Sequence, residues 1–373
     1  MMSTGDNTKQ ATATLFDEQT LGPYKLKNRV YMAPLTRGRA GADGTPTAVM
    51  AEYYRQRSSA GLIISEATSI SKQGAGFTGA PGIHTDSHRE GWKAVTNVVH
   101  DAGGRIFLQL WHLGRVSHPD FLDGQLPIAP SAVAAEGHTR THRGKQAYVV
   151  PRALRGDELP GLIEDYARAA AMAVEAGFDG VELHGANGYL LDQFMRDGSN
   201  RREDEYGGSM ENRWRFPLEV ARAVAERIGA DKTGMRLSPT GPYNSMSDSD
   251  PVATFTHGAR ELGKIGIVYL HVIEGLPGST MHAQGAPAVA RHMREVFDGV
   301  FILNGGYDAQ TGNEALAENR ADAIAYGVPF LANPDLPRRL REGAELNKPD
   351  PKTFYSSGEK GYTDYPALDG AGE

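Results

Sequence analysis

The chain has 373 residues, with 39 basic and 46 acidic side chains, a net charge of −7 and no cysteine. Disulfides, thiolate catalysis and cysteine-based metal sites are therefore excluded. The mixed charge carries neither the basic stripe of a nucleic-acid binder nor an acidic tail.

In chain order, residues 1–14 are polar and Thr-rich. They lack the apolar core of a signal peptide, and no stretch has the length of a membrane span, so a disordered N-terminus on a cytoplasmic protein is the expectation. Leu15–Asn28 contains the turn signal Leu21-Gly22-Pro23 and predicts a hairpin cap. Short apolar runs then predict eight strands: Arg29–Leu35, Leu62–Glu66, Arg105–Leu110, Gly180–Leu183, Gly234–Leu237, Val268–Val272, Val300–Asn304 and Ala323–Tyr326. Between them lie amphipathic segments, Pro46–Ser59, Ser87–Ala102, Gly161–Ala176 and Met210–Ile228. The third has apolar residues near a helical period, with Asp157 near its start and Gly177 as its stop. Strand and helix in alternation imply a parallel sheet. Eight units predict an α/β fold closed as a (β/α)8 TIM barrel, with an open doubly wound sheet as the competitor.

One segment breaks the repeat. From His112 to about residue 156 the chain is rich in Pro, Gly and His with little helical period. A loop this long is usually functional or structured in its own right. Its position after the third strand predicts a lid subdomain over the C-terminal mouth. The barrel itself is expected over 15–366, as a single domain with the lid inserted, and 367–373 as a tail.

The fourth strand runs into His184-Gly185-Ala186-Asn187-Gly188-Tyr189. Barrel chemistry sits at that edge. His184 and Asn187 can clamp one polarised oxygen, and Tyr189 can deliver a proton nearby. A lone His184 would more simply be a satisfied core histidine; the two companions favour function. Arg236 lies within the fifth strand, where an unpaired inward charge is costly. It is either the partner of a structural carboxylate such as Glu182 or the counter-charge of an anionic ligand. Gln109 puts an amide on the third strand, and Thr36 closes the first. Together they predict a polar ring around a flat, hydrogen-bonding ligand. Asn304-Gly305-Gly306 and Tyr326-Gly327 follow the seventh and eighth strands, where barrels bind phosphate through backbone N–H groups; plain tight turns are the alternative.

Two other motifs are read as loops. Gly74-Ala75-Gly76-Phe77-Thr78-Gly79 matches the dinucleotide fingerprint, but Pro81 and Gly82 follow where a helix is required. His84/His88 and His138/His142 have zinc spacing without a third ligand, so no metal is expected.

Several segments together are specific: Met32-Ala33-Pro34-Leu35-Thr36-Arg37, Glu52-Tyr53-Tyr54-Arg55-Gln56-Arg57, Gln109-Leu110-Trp111-His112, His184 to Leu190, Tyr206-Gly207-Gly208-Ser209, Asn212-Arg213 and Ala332-Asn333-Pro334-Asp335-Leu336. In these, and in their order along nearly the whole chain, the sequence resembles the Old Yellow Enzyme family of FMN-dependent ene-reductases. Thr36 resembles the pentaerythritol tetranitrate and morphinone reductase subgroup. The resemblance implies tightly but non-covalently bound FMN, reduced by NADPH or NADH, and hydride transfer to the β-carbon of an enone or similar electron-poor small molecule, with nitrate esters also open. It implies that His184 and Asn187 bind the substrate carbonyl and that Tyr189 protonates the α-carbon. Ala33, Pro34, Leu35, Thr36, Ala67, Gln109, His184 and Arg236 would hold the flavin ring, and Asn304, Gly305, Gly306, Gly327 and Val328 its phosphate end. Thr36, Phe77, Trp111 and Tyr355 would shape the substrate pocket beside the clamp. Three positions depart from the pattern: Asn187 where the subgroup often has His, Phe77 where relatives often have Tyr, and Val328 where the family usually has an Arg that pairs with the phosphate. A flavin-free barrel lyase or hydrolase for a phosphorylated substrate, and a non-catalytic flavin or phosphate binder, are the competing readings. Neither nucleic acid nor membrane is expected as a partner, and monomer and homodimer remain open.

Overall fold

The computed structural model describes residues 13–278 and 285–368. The expectations for residues 1–12 and 369–373 lie outside the described residues. Eight parallel strands are present: β1 Val30–Met32, β2 Ile63–Ile64, β3 Ile106–Trp111, β4 Gly180–Gly185, β5 Thr233–Leu237, β6 Tyr269–Ile273, β7 Val300–Asn304 and β8 Ala323–Tyr326. Each pairs with the next, and β8 pairs with β1, so the sheet is a closed (β/α)8 barrel rather than an open one.

Two strands are shorter than their apolar runs. Pro34 has no N–H to give the ladder, and β1 ends before it. Thr36 therefore sits on the loop beyond the strand instead of closing it. After β2 the chain bends: Ser65 N–H still reaches the Phe107 carbonyl at 2.9 Å, and a short strand, Thr68–Ser69, rejoins β3 beside Leu110 and Trp111.

Side chains on a strand alternate between faces, and here the alternation sorts two layers. Ile106, Leu108, Leu110, Val181, Leu183, Met235, Leu237, Leu270 and Val272 belong to the large core shared with the surrounding helices. Residues of opposite parity point inward. Tyr31, Phe107, Tyr269, Ile302 and Ala323 fill the barrel floor. The hairpin Gln19–Leu21/Tyr24–Leu26 inserts Leu21 and Leu26 into that floor. Its turn needs Gly22: φ is +52°, and a Cβ there would lie 2.2 Å from the Asp231 carbonyl oxygen.

The principal outer helices include α1 Ala48–Gln56, α2 Asp86–Asp101, α3 Leu159–Glu175, α4 Leu190–Met195 and α5 Met210–Ile228. Thr85 caps α2 by accepting the His88 N–H at 3.2 Å, and Ser209 caps α5 by accepting from Asn212 at 3.3 Å. α3 begins earlier than its apolar period suggests, because a 3-10 turn over Gly156–Glu158 feeds directly into it; Asp157 lies in that turn and is not its cap.

Between β3 and α3 the chain forms a hairpin, His138–Thr141/Gly144–Ala147, and a parallel pair, Ile128–Ala129 with Arg152–Ala153. Buried Arg115 ties this segment to the loop after β5, donating to the Val133 carbonyl at 3.2 Å and the Asn244 carbonyl at 3.0 Å. Leu113, Val116 and Ala135 pack with Trp111 and Ala67 at the barrel mouth, with Tyr148 and Tyr189 alongside. Residues 74–79 form an irregular loop with no helix behind it. His88 is occupied structurally, meeting the Asp43 carbonyl at 2.8 Å and the His84 N–H at 3.3 Å. No cluster of three metal-ligating side chains exists among the described residues.

Candidate active site

A cleft of about 390 Å3 opens at the C-terminal ends of the barrel strands, within the range of small-molecule sites. A larger hollow of about 770 Å3 lies between the segments after β6 and β7 and shares only Tyr307 with it. None of the inward strand-end groups Gln109, His184, Arg236 and Asn304 faces that hollow, so the smaller cleft is the candidate site.

All the residues expected to bind cofactor or substrate line this one cleft. Ala33, Pro34, Leu35 and Thr36 follow β1, Ala67 follows β2, and Gln109 and Trp111 come from β3. His184 lies on β4, Arg236 on β5 and Asn304 on β7, with Gly305 and Gly306 after it. Asn187, Tyr189, Gly327, Val328, Phe77 and Tyr355 complete the ring. Tyr326, named only with the end of the eighth strand, also faces the cleft, as do Tyr307, Ala325 and Pro329, which the sequence reading missed.

Strand register explains the grouping. His184 stands opposite Arg236, Arg236 opposite His271, and Glu182 opposite Gln109. Arg236 was weighed as a partner of Glu182, but its Nη2 donates instead to Asn304 Oδ1 at 2.8 Å, and Asn304 Nδ2 donates to the Ala325 carbonyl at 2.7 Å. Glu182 is occupied by others. It accepts from Gln109 Nε2 at 2.8 Å, from the Tyr269 hydroxyl at 3.1 Å and from His271 Nδ1 at 2.9 Å. A carboxylate only accepts, so it draws the Gln109 amide N–H toward itself and leaves Oε1 for the cleft. Tyr269 and His271 were not anticipated. Their signal was in the alternation, since Leu270 and Val272 face the helices.

His184 is buried, and its Nδ1 accepts the Ala186 N–H at 3.4 Å, so Nε2 carries the proton. Burial, then the charge on Arg236 and neighbouring His271, hold its pKa well below the usual histidine range. The imidazole is a neutral, single donor. Tyr189 packs against it at 4.8 Å between ring centroids and against Trp111 at 5.0 Å, both edge-on. Burial raises its phenol, so the proton stays on Tyr189 until something basic takes it.

Asn187 has φ +58°, a left-handed conformation that Asn tolerates and β-branched residues do not. Its N–H donates to Ser238 Oγ at 2.8 Å, and its carbonyl accepts Asn244 Nδ2 at 2.7 Å. Its side-chain Oδ1 is buried without a partner. Gly188 N–H donates to Asp192 at 2.8 Å, and Asp192 forms a fully buried pair with Arg196 at 2.7 Å. Gln193 Nε2 takes the Gly188 carbonyl at 2.7 Å. The turn carrying Asn187 and Tyr189 is thus fixed from behind.

These residues fit a flat, anionic, FMN-like group. Arg236 Nε is buried without a partner, an orphan cationic donor at a wall of the cleft. After β7, Gly305 and Gly306 have φ +138° and +91°, and a Cβ on Gly305 would stand 2.6 Å from Gly275 Cα. Glycine alone permits this close backbone approach, which suits a phosphate met by N–H groups. Val328, at the start of a short helix Val328–Ala332, brings no charge and is 43% exposed.

The model of the NADH:flavin oxidoreductase / NADH oxidase family matches residues 14–347. The chain is 46% identical to 12-oxophytodienoate reductase 2 of Arabidopsis thaliana, over 94% of each chain. It is 46% identical to a probable flavin mononucleotide-dependent alkene reductase of Leishmania infantum, over 93% of this chain and 96% of the other. The structure superposes on the Old Yellow Enzyme homologue of Zymomonas mobilis with a TM-score of 0.94 and 49% identity, covering 95% of this chain and all (100%) of that one.

Proposed function

The chain belongs to the NADH:flavin oxidoreductase / NADH oxidase family, within its Old Yellow Enzyme branch of FMN-dependent ene-reductases, and we propose that it reduces the activated C=C bond of α,β-unsaturated carbonyl compounds through His184, Asn187 and Tyr189. When bound, FMN would supply the hydride chemistry that links NADH or NADPH to the substrate's β-carbon. Arg236, Gln109 and Thr36 would hold its ring, and the Gly305–Gly306 and Gly327 backbone its phosphate.

The observation that carries this reading is the meeting of His184, Asn187 and Tyr189 in one cleft with the unpartnered Arg236 Nε. His184 presents Nε2–H, fixed by the Ala186 bond on its other nitrogen. A donor held in place lowers the energy of the negative charge that develops on the carbonyl oxygen as the β-carbon accepts hydride. Asn187 supports it from its amide N–H. Tyr189, held protonated by burial, gives its proton to the α-carbon as general acid. The family match and the flavin-dependent alkene reductase among its relatives favour this reading over a barrel lyase or hydrolase. Trp111, Phe77 and Tyr355 form the walls around the substrate.

The test is direct. FMN-loaded protein under anaerobic conditions should lose its flavin colour with NADH or NADPH and regain it on addition of 2-cyclohexenone. Protein that cannot be reconstituted with FMN, or reduced flavin that ignores every enone, would sink the reading. We also take the protein to be cytoplasmic and to act as a monomer or homodimer without nucleic acid, which light scattering and fractionation would check. No helix among the described residues is long and apolar enough to cross a membrane.

A further inference from the structure

The motif residues Arg37, Tyr53, Tyr54 and Arg57 make no contact with the candidate chemistry, yet Arg37, Arg39 and Arg57 are all buried, and no carboxylate side chain pairs with any of them among the described residues. A buried cation is costly unless its donors are satisfied. Arg57 donates chiefly to the carbonyls of Tyr53, Phe330 and Leu331, whereas most acceptors of Arg37 and Arg39 are backbone carbonyls of one C-terminal stretch. Arg39 donates to the carbonyls of Thr353 at 2.9 Å, Phe354 at 2.9 Å, Gly358 at 3.3 Å and Lys360 at 3.2 Å, and to Ser356 Oγ at 3.0 Å. Arg37 takes the carbonyls of Phe354 at 3.1 Å and Gly361 at 2.7 Å. Tyr362, at the end of the same stretch, stacks on Tyr53 with centroids 4.0 Å apart, and the Arg57 guanidinium sits 3.7 Å from the Tyr53 ring centroid. Residues 354–362 have no helix or strand of their own. Their shape is the shape of the carbonyl ring around Arg39.

This stretch carries Tyr355 to the mouth of the cleft. The opposite wall lands on the same short segment. Ala40 N–H donates to the Gly79 carbonyl at 3.0 Å, and a Cβ on Gly79 would lie 2.4 Å from the Gly38 carbonyl oxygen. That contact seats the loop bearing Phe77. The rings of Phe77 and Tyr355 then meet with centroids 5.5 Å apart.

We propose that the segment Arg37-Gly38-Arg39 is a frame that holds Phe77 and Tyr355 together as a lip of the cleft, with Arg39 as a positioning residue that determines how wide a substrate the enzyme accepts. The inference rests on the ene-reductase reading. A narrow substrate enters beside the paired rings. A wide one must part them, and Arg39 opposes this because moving Tyr355 strains the carbonyl ring.

The experiment compares maleimide with N-phenylmaleimide, which share the reacting bond and differ in width, on the FMN-loaded full chain. Arg39→Met should raise the ratio of kcat/KM for the wide over the narrow substrate about fivefold, the scale of one aromatic pair contact. The gain should lie in KM for N-phenylmaleimide, with maleimide turnover and nicotinamide-driven flavin reduction unchanged. Arg39→Lys, which keeps charge but loses the fork, should move the ratio the same way and serves if the Met variant does not fold. Tyr355→Ala should raise the ratio too, and Arg39→Met added to it should change nothing further. An unchanged ratio in both Arg39 variants, or a shift that persists without Tyr355, overturns the proposal. Failure of the underlying reading is distinguishable, since the unaltered chain would then reduce neither maleimide.

Discussion

The two ends of the cleft are built on opposite plans. At the His184–Asn187–Tyr189 end the groups are held from behind while their cleft-facing atoms stay free: Ala186 N–H fixes the His184 ring, Ser238 and Asn244 hold the Asn187 backbone, and the buried Asp192–Arg196 pair supports the turn between them. At the Gly305–Gly306 and Val328 end the cleft offers backbone and a half-exposed aliphatic side chain. The difference teaches where precision is required. A donor that must meet a developing charge has to be held before the charge appears. A phosphate that is only retained can be held by N–H groups, and charge adds strength rather than geometry.

The largest expected effect breaks the first end. Tyr189→Phe keeps the ring packing against His184 and Trp111 and removes only the proton donor. Enone reduction should fall by about 10²–10⁴-fold, while flavin reduction by NADH or NADPH survives, as stopped-flow traces of the two half-reactions would resolve. Equal loss in both halves would mean that Tyr189 shapes the site instead of protonating substrate.

A smaller effect should appear at the other end. Val328→Arg restores a cation beside the phosphate position. A charge-assisted bond there is worth roughly 1.5–3 kcal/mol, so FMN dissociation should slow by roughly ten- to a hundredfold. Flavin remaining after extensive dialysis measures this, and no slowing would show that the backbone already saturates the phosphate. The rate of enone reduction by fully loaded enzyme should not change.

The smallest effect concerns Glu66, directly before Ala67 on the wall between the two ends. It is buried, and burial raises its carboxyl to about 7, against hydrogen bonds from the Arg37 N–H at 3.1 Å and the Tyr54 hydroxyl at 3.3 Å. Between the unfolded value near 4.5 and that folded value, the folded chain holds a proton that the unfolded chain releases. Stability therefore declines as pH rises through this window and levels off above it. Glu66→Gln removes the titration, so the Tm of the variant relative to the parent should climb from pH 5 to pH 7.5. A gap that stays constant would mean that Glu66 is ionised throughout.

Much of this molecule was readable from its sequence, for reasons specific to each part. The eight strands were found because each is a short apolar run between helical periods, and β7 and β8 agree with those runs residue for residue. The grouping behind the proposed clamp was legible because His184, Asn187 and Tyr189 lie within one turn at a strand end, so local order alone brings them together. Gln109 and Arg236 stood out as polar residues in apolar strands. What those two bond to was a different matter. Whether Arg236 meets Glu182 or Asn304 depends on register between strands far apart in sequence, and only the closed barrel decides it. The same holds for Tyr355, which reaches the cleft because the carbonyls beside it satisfy arginines more than 300 positions earlier in the chain. Sequence determined the parts whose chemistry is local: the strand ends, the glycines after β7 and the missing charge at Val328. Tertiary structure decided the partnerships, because buried hydrogen bonds and ion pairs are chosen by what the fold places opposite, and no local pattern records that choice.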